Sequence, residues 1–163
     1  MAKSTSLFFL MVFTFATSSF SQTEPGSQKS TSYWLTPQKM IPLSFMEAMR
    51  IKNNQVNKIP IVTMEDNFPN NWVTKKDIDT LIKLVNSREK CNCLLNPLSS
   101  YIPTKDIAEL GGYAIWLIKA YREKRNVTFG LYACPKVNKV EADELILWWA
   151  IQADNKGAAN IVL

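Results

Sequence analysis

The amino-acid sequence predicts a mainly α protein, a small bundle of about four helices. Three observations carry that prediction. Apolar residues recur at helical pitch in every strongly patterned segment. Each such segment follows a residue suited to cap a helix N-terminus. No pair of segments shows the strict alternation of a half-buried hairpin.

The first helix is predicted from Ser44, with Glu47 three residues on completing a capping box. Phe45, Ala48 and Met49 follow at helical spacing, and the helix should fade at Asn53-Asn54. IPIV at 59–62 reads as a short extended piece, barred from a central strand by Pro60 and Pro69. The second helix starts at Thr74, with Asp77 at N3 and a staple between Val73 and Ile78. Ile78, Leu81, Ile82 and Val85 form its stripe. The third and longest helix is predicted after Pro103, capped by Thr104. Its stripe is Ile107, Leu110, Ala114, Leu117, Ile118 and Tyr121. Gly111-Gly112 inside it costs about 1 kcal/mol per glycine relative to Ala, which close approach of another helix would offset. The fourth helix starts at Asn138 with Glu141 at N3, carries Ala142, Leu145, Ile146 and Trp149, and should end near Ala153. Short helices joined by loops are analogous to one unit of an armadillo or HEAT solenoid, although no repeat at a fixed period is present.

Residues 1–21, MAKSTSLFFLMVFTFATSSFS, have the three parts of a secretory leader. Lys3 precedes an apolar run from Leu7 to Ala16, and Ser19 and Ser21 occupy the small-residue positions before the cut. The run is about ten residues, and a bilayer span takes roughly 20. Cleavage after Ser21 and a periplasmic or extracellular location are therefore expected, with no transmembrane span in the mature chain. Removing 21 residues from 163 leaves 142, one ordinary domain. Residues 22–42 are Ser-, Thr-, Gln- and Pro-rich and read as a mobile lead-in, with Trp34 and Pro37 as the first candidates for order. The helical domain is placed at 43–154 and a C-terminal tail at 155–163.

The full chain carries a formal charge of +5, and losing Lys3 lowers it to +4. So mild and dispersed an excess gives no ground for nucleic-acid binding.

Cys91, Cys93 and Cys134 are the only cysteines. In an oxidising compartment one of the first two is expected to pair with Cys134. The bridge would close a loop of about 40 residues, worth roughly 4 kcal/mol. The third cysteine would be left over, buried or bridging to another molecule. Three free thiols, or a metal site with an acidic fourth ligand, are the alternatives; C-x-C is not the usual metal-binding spacing.

The chain contains no histidine. Ser-His-Asp and Cys-His catalysis are thereby excluded, together with histidine-ligated metal sites. NPLSSYIPTKDI at 96–107 gathers two serines, a tyrosine and a lysine. Neither Ser99 nor Ser100 has a lysine three residues on, and neither sits in a G-x-S-x-G elbow. The stretch reads as a turn, with Tyr101 and Ile102 folded back into the core. Asp77 and Asp79 lie two apart on a helix and point to different faces, and Glu141, Asp143 and Glu144 sit where acids suit the helix dipole. Gly111-Gly112 lacks the spacing of a phosphate loop. No cofactor is implied.

Lys119, Arg122, Lys124 and Arg125 make the end of the third helix basic, suiting both the dipole and an anionic partner. Trp72, Trp148 and Trp149 read mainly as core. Trp116 lies off the main stripe, so it either packs on a second neighbour or stands exposed as an interface anchor. Trp116, Tyr101, Arg122, Lys124 and Arg125 are the candidate interaction residues. Asn126-Val127-Thr128 matches a glycosylation sequon, which carries no meaning behind a bacterial leader.

WVTKKDIDTLIKLVNS, NPLSSYIP, LGGYAIWLIKAYR and EADELILWWA, in this order, resemble small exported bacterial proteins of unknown function, over about residues 43–150. Their shared motifs are helix starts and core stripes, so the resemblance implies export and no catalytic residues. The expected function is a non-catalytic interaction module of the bacterial envelope, its partner another envelope or secreted protein. A structural envelope protein is one alternative. A wall-active hydrolase is the other, and it needs two carboxylates about 5–9.5 Å apart.

Overall fold

The structure, a computed structural model, describes residues 34–51, 59–64, 67–101 and 104–159, with side chains described as far as Gln152. The predicted leader at 1–21, the lead-in as far as 33, Asn53-Asn54, Ile102, Pro103 and the end of the tail at 160–163 lie outside these residues. In chain order the elements are β1 (Trp34–Leu35), a 3-10 turn (Pro37–Lys39), α1 (Pro42–Met49), β2 (Ile61–Met64) and α2 (Lys75–Leu81). A 3-10 turn (Ile82–Leu84) leads to β3 (Lys90–Cys91), β4 (Cys93–Leu95), β5 (Ala108–Glu109), α3 (Leu110–Arg122), β6 (Tyr132–Ala133) and α4 (Lys139–Ala159).

The mainly α expectation is overturned: the fold is mixed α/β. β1, β2 and β4 run parallel, and β6 closes the sheet antiparallel to β4, in the order β1-β2-β4-β6. β3 and β5 form a second, antiparallel pair, Lys90 opposite Glu109 and Cys91 opposite Ala108. Parallel neighbours need a crossover connection. α1 provides it between β1 and β2, and α2 between β2 and β4. An armadillo- or HEAT-like helix pairing is excluded by the same connections. The strands escaped the pattern because they are two to four residues long, below the length at which alternation shows. β4 is also buried on both faces, with Cys93 and Leu94 fully inaccessible, and so reads as an apolar run.

β2 corrects the expectation that prolines bar a central strand. It lies between β1 and β4, with Ile61 opposite Cys93 and Val62 opposite Leu94. Pro60 precedes the strand and contributes only its carbonyl, which accepts the Cys93 N–H at 2.7 Å. A missing donor costs nothing there.

The helices pack together around α3, which touches α1, α2 and α4 and also β5. Nine of the thirteen residues of α3 are buried, so it is apolar nearly all round, as a central helix must be. α1 begins one residue after Ile41, with Pro42 at its first position rather than Ser44 as cap. Ser44 is an exposed residue within it, while Phe45, Met46 and Met49 enter the core. α2 has the predicted box: the Thr74 N–H donates to Asp77 Oδ2 at 2.8 Å. Of the predicted stripe Ile78, Leu81 and Val85 are buried and Ile82 is half-buried, and the staple residue Val73 is buried too. In α4 Asn138 Oδ1 accepts the N–H groups of Val140 and Glu141, at 3.1 and 3.4 Å. That helix runs to Ala159, past the predicted end at Ala153 and into the predicted tail.

α3 starts at Leu110, not after Thr104, because Ala108 and Glu109 pair in β5. No side chain caps it. Backbone carbonyls of neighbouring loops do so instead: Glu109 N–H donates to Pro135 O, Leu110 N–H to Glu89 O, and Gly111 N–H to Ser87 O, each at 2.9 Å. The close approach expected at the glycine pair is real, but the partners are loops and not a helix. A Cβ at Gly111 would lie 2.6 Å from Val85 O, and one at Gly112 would lie 2.6 Å from the Pro135 carbonyl carbon.

Two buried side chains tie these layers together. Asn92 Nδ2 donates to the carbonyls of Met49 and Arg50, at 3.0 and 3.2 Å, and so closes the open C-terminus of α1. The Tyr113 hydroxyl lies 3.1 Å from Asn92 O and 3.2 Å from Ala133 O, linking α3 to the residue before β4 and to β6.

Gly112→Ala gains about 1 kcal/mol of helix propensity and meets immovable backbone. Overpacking should dominate, giving a net loss of about 2 kcal/mol, visible as a lower urea midpoint at unchanged slope.

Candidate functional site

α3 presents Gly112, Ile115, Trp116 and Lys119 at i, i+3, i+4 and i+7, one continuous face. Facing it is the segment from Thr128 to Lys136, which includes β6 and Cys134. Between them lies an open cleft of about 530 Å³, lined also by Arg125 and by Asn138 and Glu141 at the α4 start. Gly112 sets the cleft's depth, since the Pro135 backbone rests directly on it.

The wall carrying β6 is held by the disulfide. Leu94 faces Ala133 across the antiparallel pair, so Cys93 falls opposite Cys134, with Cα atoms 4.6 Å apart. This decides between the two pairings open from sequence. Cys91, two residues earlier, pairs through its backbone with Ala108 in the other sheet and stays a free, buried thiol. Burial, aided by Glu89, pushes that thiol up to about 12, so it is neutral and inert at ordinary pH.

Three aromatic residues line the cleft: Trp116, Phe129 and Tyr132. Trp116 is half-buried and does both things its position allowed. It packs on Phe68 at 5.7 Å and on Tyr113 at 6.0 Å, and it also lines the open cleft. The Tyr132 hydroxyl donates to Asp106 Oδ2 at 2.8 Å and lies 3.6 Å from Cys93 Sγ. Burial and then that carboxylate raise the phenol above its usual range, so Tyr132 stays protonated.

Three cations and one carboxylate share the lining: Lys119, Arg125, Lys136 and Glu141. Lys119 pairs with Glu141 at 3.1 Å. Lys136 Nζ donates to Ile107 O. Arg125 pairs with Glu123 at 2.5 Å and holds that exposed carboxyl below the usual range.

Of the predicted interaction residues, the structure brings Trp116 and Arg125 into this cleft. Lys124 and Arg125 also border a smaller hollow of about 250 Å³ beside Trp72 and Tyr121. Arg122 is half-buried at the end of α3 and lines neither. Tyr101 does not fold into the core: it is 57% exposed and its ring meets that of Tyr132 at 5.5 Å. Phe129, Tyr132, Lys136 and Asn138 were not legible as a site, because they converge only through the β4–β6 pairing.

The other candidates are accounted for structurally. Ser99 makes a local turn: its Oγ accepts the Tyr101 N–H at 3.2 Å and lies 3.1 Å from Tyr101 O. Asp77 is a buried cap, whereas Asp79 accepts the Trp149 indole N–H at 3.1 Å. Asp143 accepts Lys139 Nζ at 2.7 Å along α4. Among the described residues no group of three or more His, Cys, Asp or Glu could hold a metal ion, and no helix is long and apolar enough to cross a membrane.

Two outcomes follow for the cysteines. Alkylation without reductant should leave the native protein unmodified, label one thiol after unfolding, and label three after unfolding with reduction, as read by intact mass. Cys91 keeps its proton in the folded state above the pH at which the unfolded thiol loses it, so it stabilises the fold less as pH rises from about 9 to about 12. The unfolding midpoint should therefore fall more steeply over that range in the native protein than in Cys91→Ala.

No family model matches this chain, and searches of curated proteins and of solved structures return no match.

Proposed function

We propose that this chain is an exported, non-catalytic binding module of the bacterial envelope, and that it grips another envelope or secreted protein through the cleft between α3 and the Thr128–Lys136 segment. The observation that carries this is the lining itself. Trp116, Phe129 and Tyr132 supply rigid apolar area and Arg125 a guanidinium, the residue types from which interface anchors are built. The cleft presents a single carboxylate, Glu141, already paired with Lys119, where a wall-active hydrolase of the expected kind needs two that converge. The Cys93–Cys134 bridge suits an oxidising compartment, in keeping with the leader-like sequence at 1–21.

The test is retention from envelope extract on immobilised protein. The native chain should hold a defined protein, and Trp116→Ala should hold it at least about 30-fold less well, the scale of a tryptophan anchor. Circular dichroism should show the variant folded. If nothing is retained across several growth conditions, or if folded Trp116→Ala retains the same protein equally, the binding function through this cleft is wrong.

A further inference from the structure

We infer that the occupant of this cleft is an extended acidic segment of the partner, carboxylates alternating with apolar side chains. The inference builds on the binding function above and adds the chemical class of what is bound. Three features of the lining point the same way.

Charge is the first. Lys119, Arg125 and Lys136 face one carboxylate. Glu141 neutralises only Lys119. Lys136 is engaged by a neutral carbonyl, which leaves its full charge uncompensated. Arg125 pairs with Glu123, which does not line the cleft, and both side chains are exposed to solvent, so the pair is weak and open to exchange. An incoming carboxylate therefore finds two cations at low cost, and guanidinium geometry favours a carboxylate over a point charge.

Shape is the second. Small-molecule sites enclose most of their ligand. This cleft is open to solvent, so it would leave much of a small ligand in water. A segment of a larger partner, continuing beyond the cleft, makes better use of it. β6 is also the last strand of its sheet, so its outer side is a place where an extended chain can lie.

The third is the mixture of lining chemistry. Trp116 and Lys119 lie three residues apart on one face of α3, so apolar and cationic groups share that wall. An extended chain sends successive side chains to opposite sides. Apolar and acidic residues in alternation would meet both kinds of surface.

Fluorescence anisotropy of the folded mature protein tests this directly. The probes are two fluorescein-labelled octapeptides, one alternating Glu with Phe and Leu, the other Lys with the same apolar residues. The acidic peptide should bind and the basic one should not. Arg125→Glu should weaken the acidic peptide about tenfold, the scale of one charge-assisted hydrogen bond. Lys83→Glu, an exposed charge reversal away from the cleft, should leave it unchanged. Equal binding of both peptides, no binding of the acidic one, or an equal response to both variants would overturn the inference. These outcomes are separable from failure of the binding function. A partner lost with Trp116→Ala but indifferent to Arg125→Glu would keep the module and sink the acidic ligand.

Discussion

The first turn of α3 has no side-chain cap, and the loops around it supply one. Three backbone carbonyls, from Ser87, Glu89 and Pro135, each meet a donor of residues 109–111 at 2.9 Å. The Ser87 and Pro135 carbonyls can come that close only because positions 111 and 112 lack a Cβ. One local fact thus has several distant consequences. It fixes the exit of α2, brings β3 against β5, and rests the Pro135 backbone on α3. The last of these is also the floor of the cleft. Binding surface and core architecture share one contact, so neither is free to change alone.

Cys91, Asn92 and Cys93 show how position divides labour among neighbours. Cys91 fills space in the second sheet as an unreactive thiol. Asn92 turns its amide to the end of α1, adding a second donor to the Met49 carbonyl, which also accepts the Asn92 N–H, and giving one to the Arg50 carbonyl. Cys93 anchors the wall of the cleft to β4 through Cys134. Tyr113 joins the group from α3, and its hydroxyl finds two carbonyls in a place water does not reach. Such a network is costly to leave half-made. Every member is paired here, and no buried side-chain N or O among the described residues is without a partner.

The cleft inherits its rigidity from these ties. Trp116 projects from a helix buried nearly all round, backed by Phe68 and Tyr113. Tyr132 is fixed by Asp106 and stands beside the disulfide. Aromatic groups held this way lose little entropy when a partner arrives, which is how an anchor gains affinity. The cations are carried on exposed or half-exposed side chains, where they steer and select as well as bind.

Sequence alone determined that four helices form and much of which faces they bury, though not all their ends, because caps and 3.6-residue stripes act within one or two turns of chain. The Thr74–Asp77 box, the Asn138 cap and the burial of Ile78, Leu81 and Val85 were all legible for that reason. It also determined which catalytic chemistries are barred, since a chain without histidine has none to arrange. Tertiary structure decided the sheets. Strands of two to four residues carry too little alternation to be read, and their partners lie tens of residues away. It decided that Ala108 and Glu109 pair as a strand, so that Thr104 caps nothing and α3 begins at Leu110. It chose Cys93 over Cys91 for the bridge, through a register no local pattern encodes. And it assembled the cleft, half from a helix face that sequence shows and half from a segment, Thr128–Lys136, that becomes a wall only when β6 finds β4.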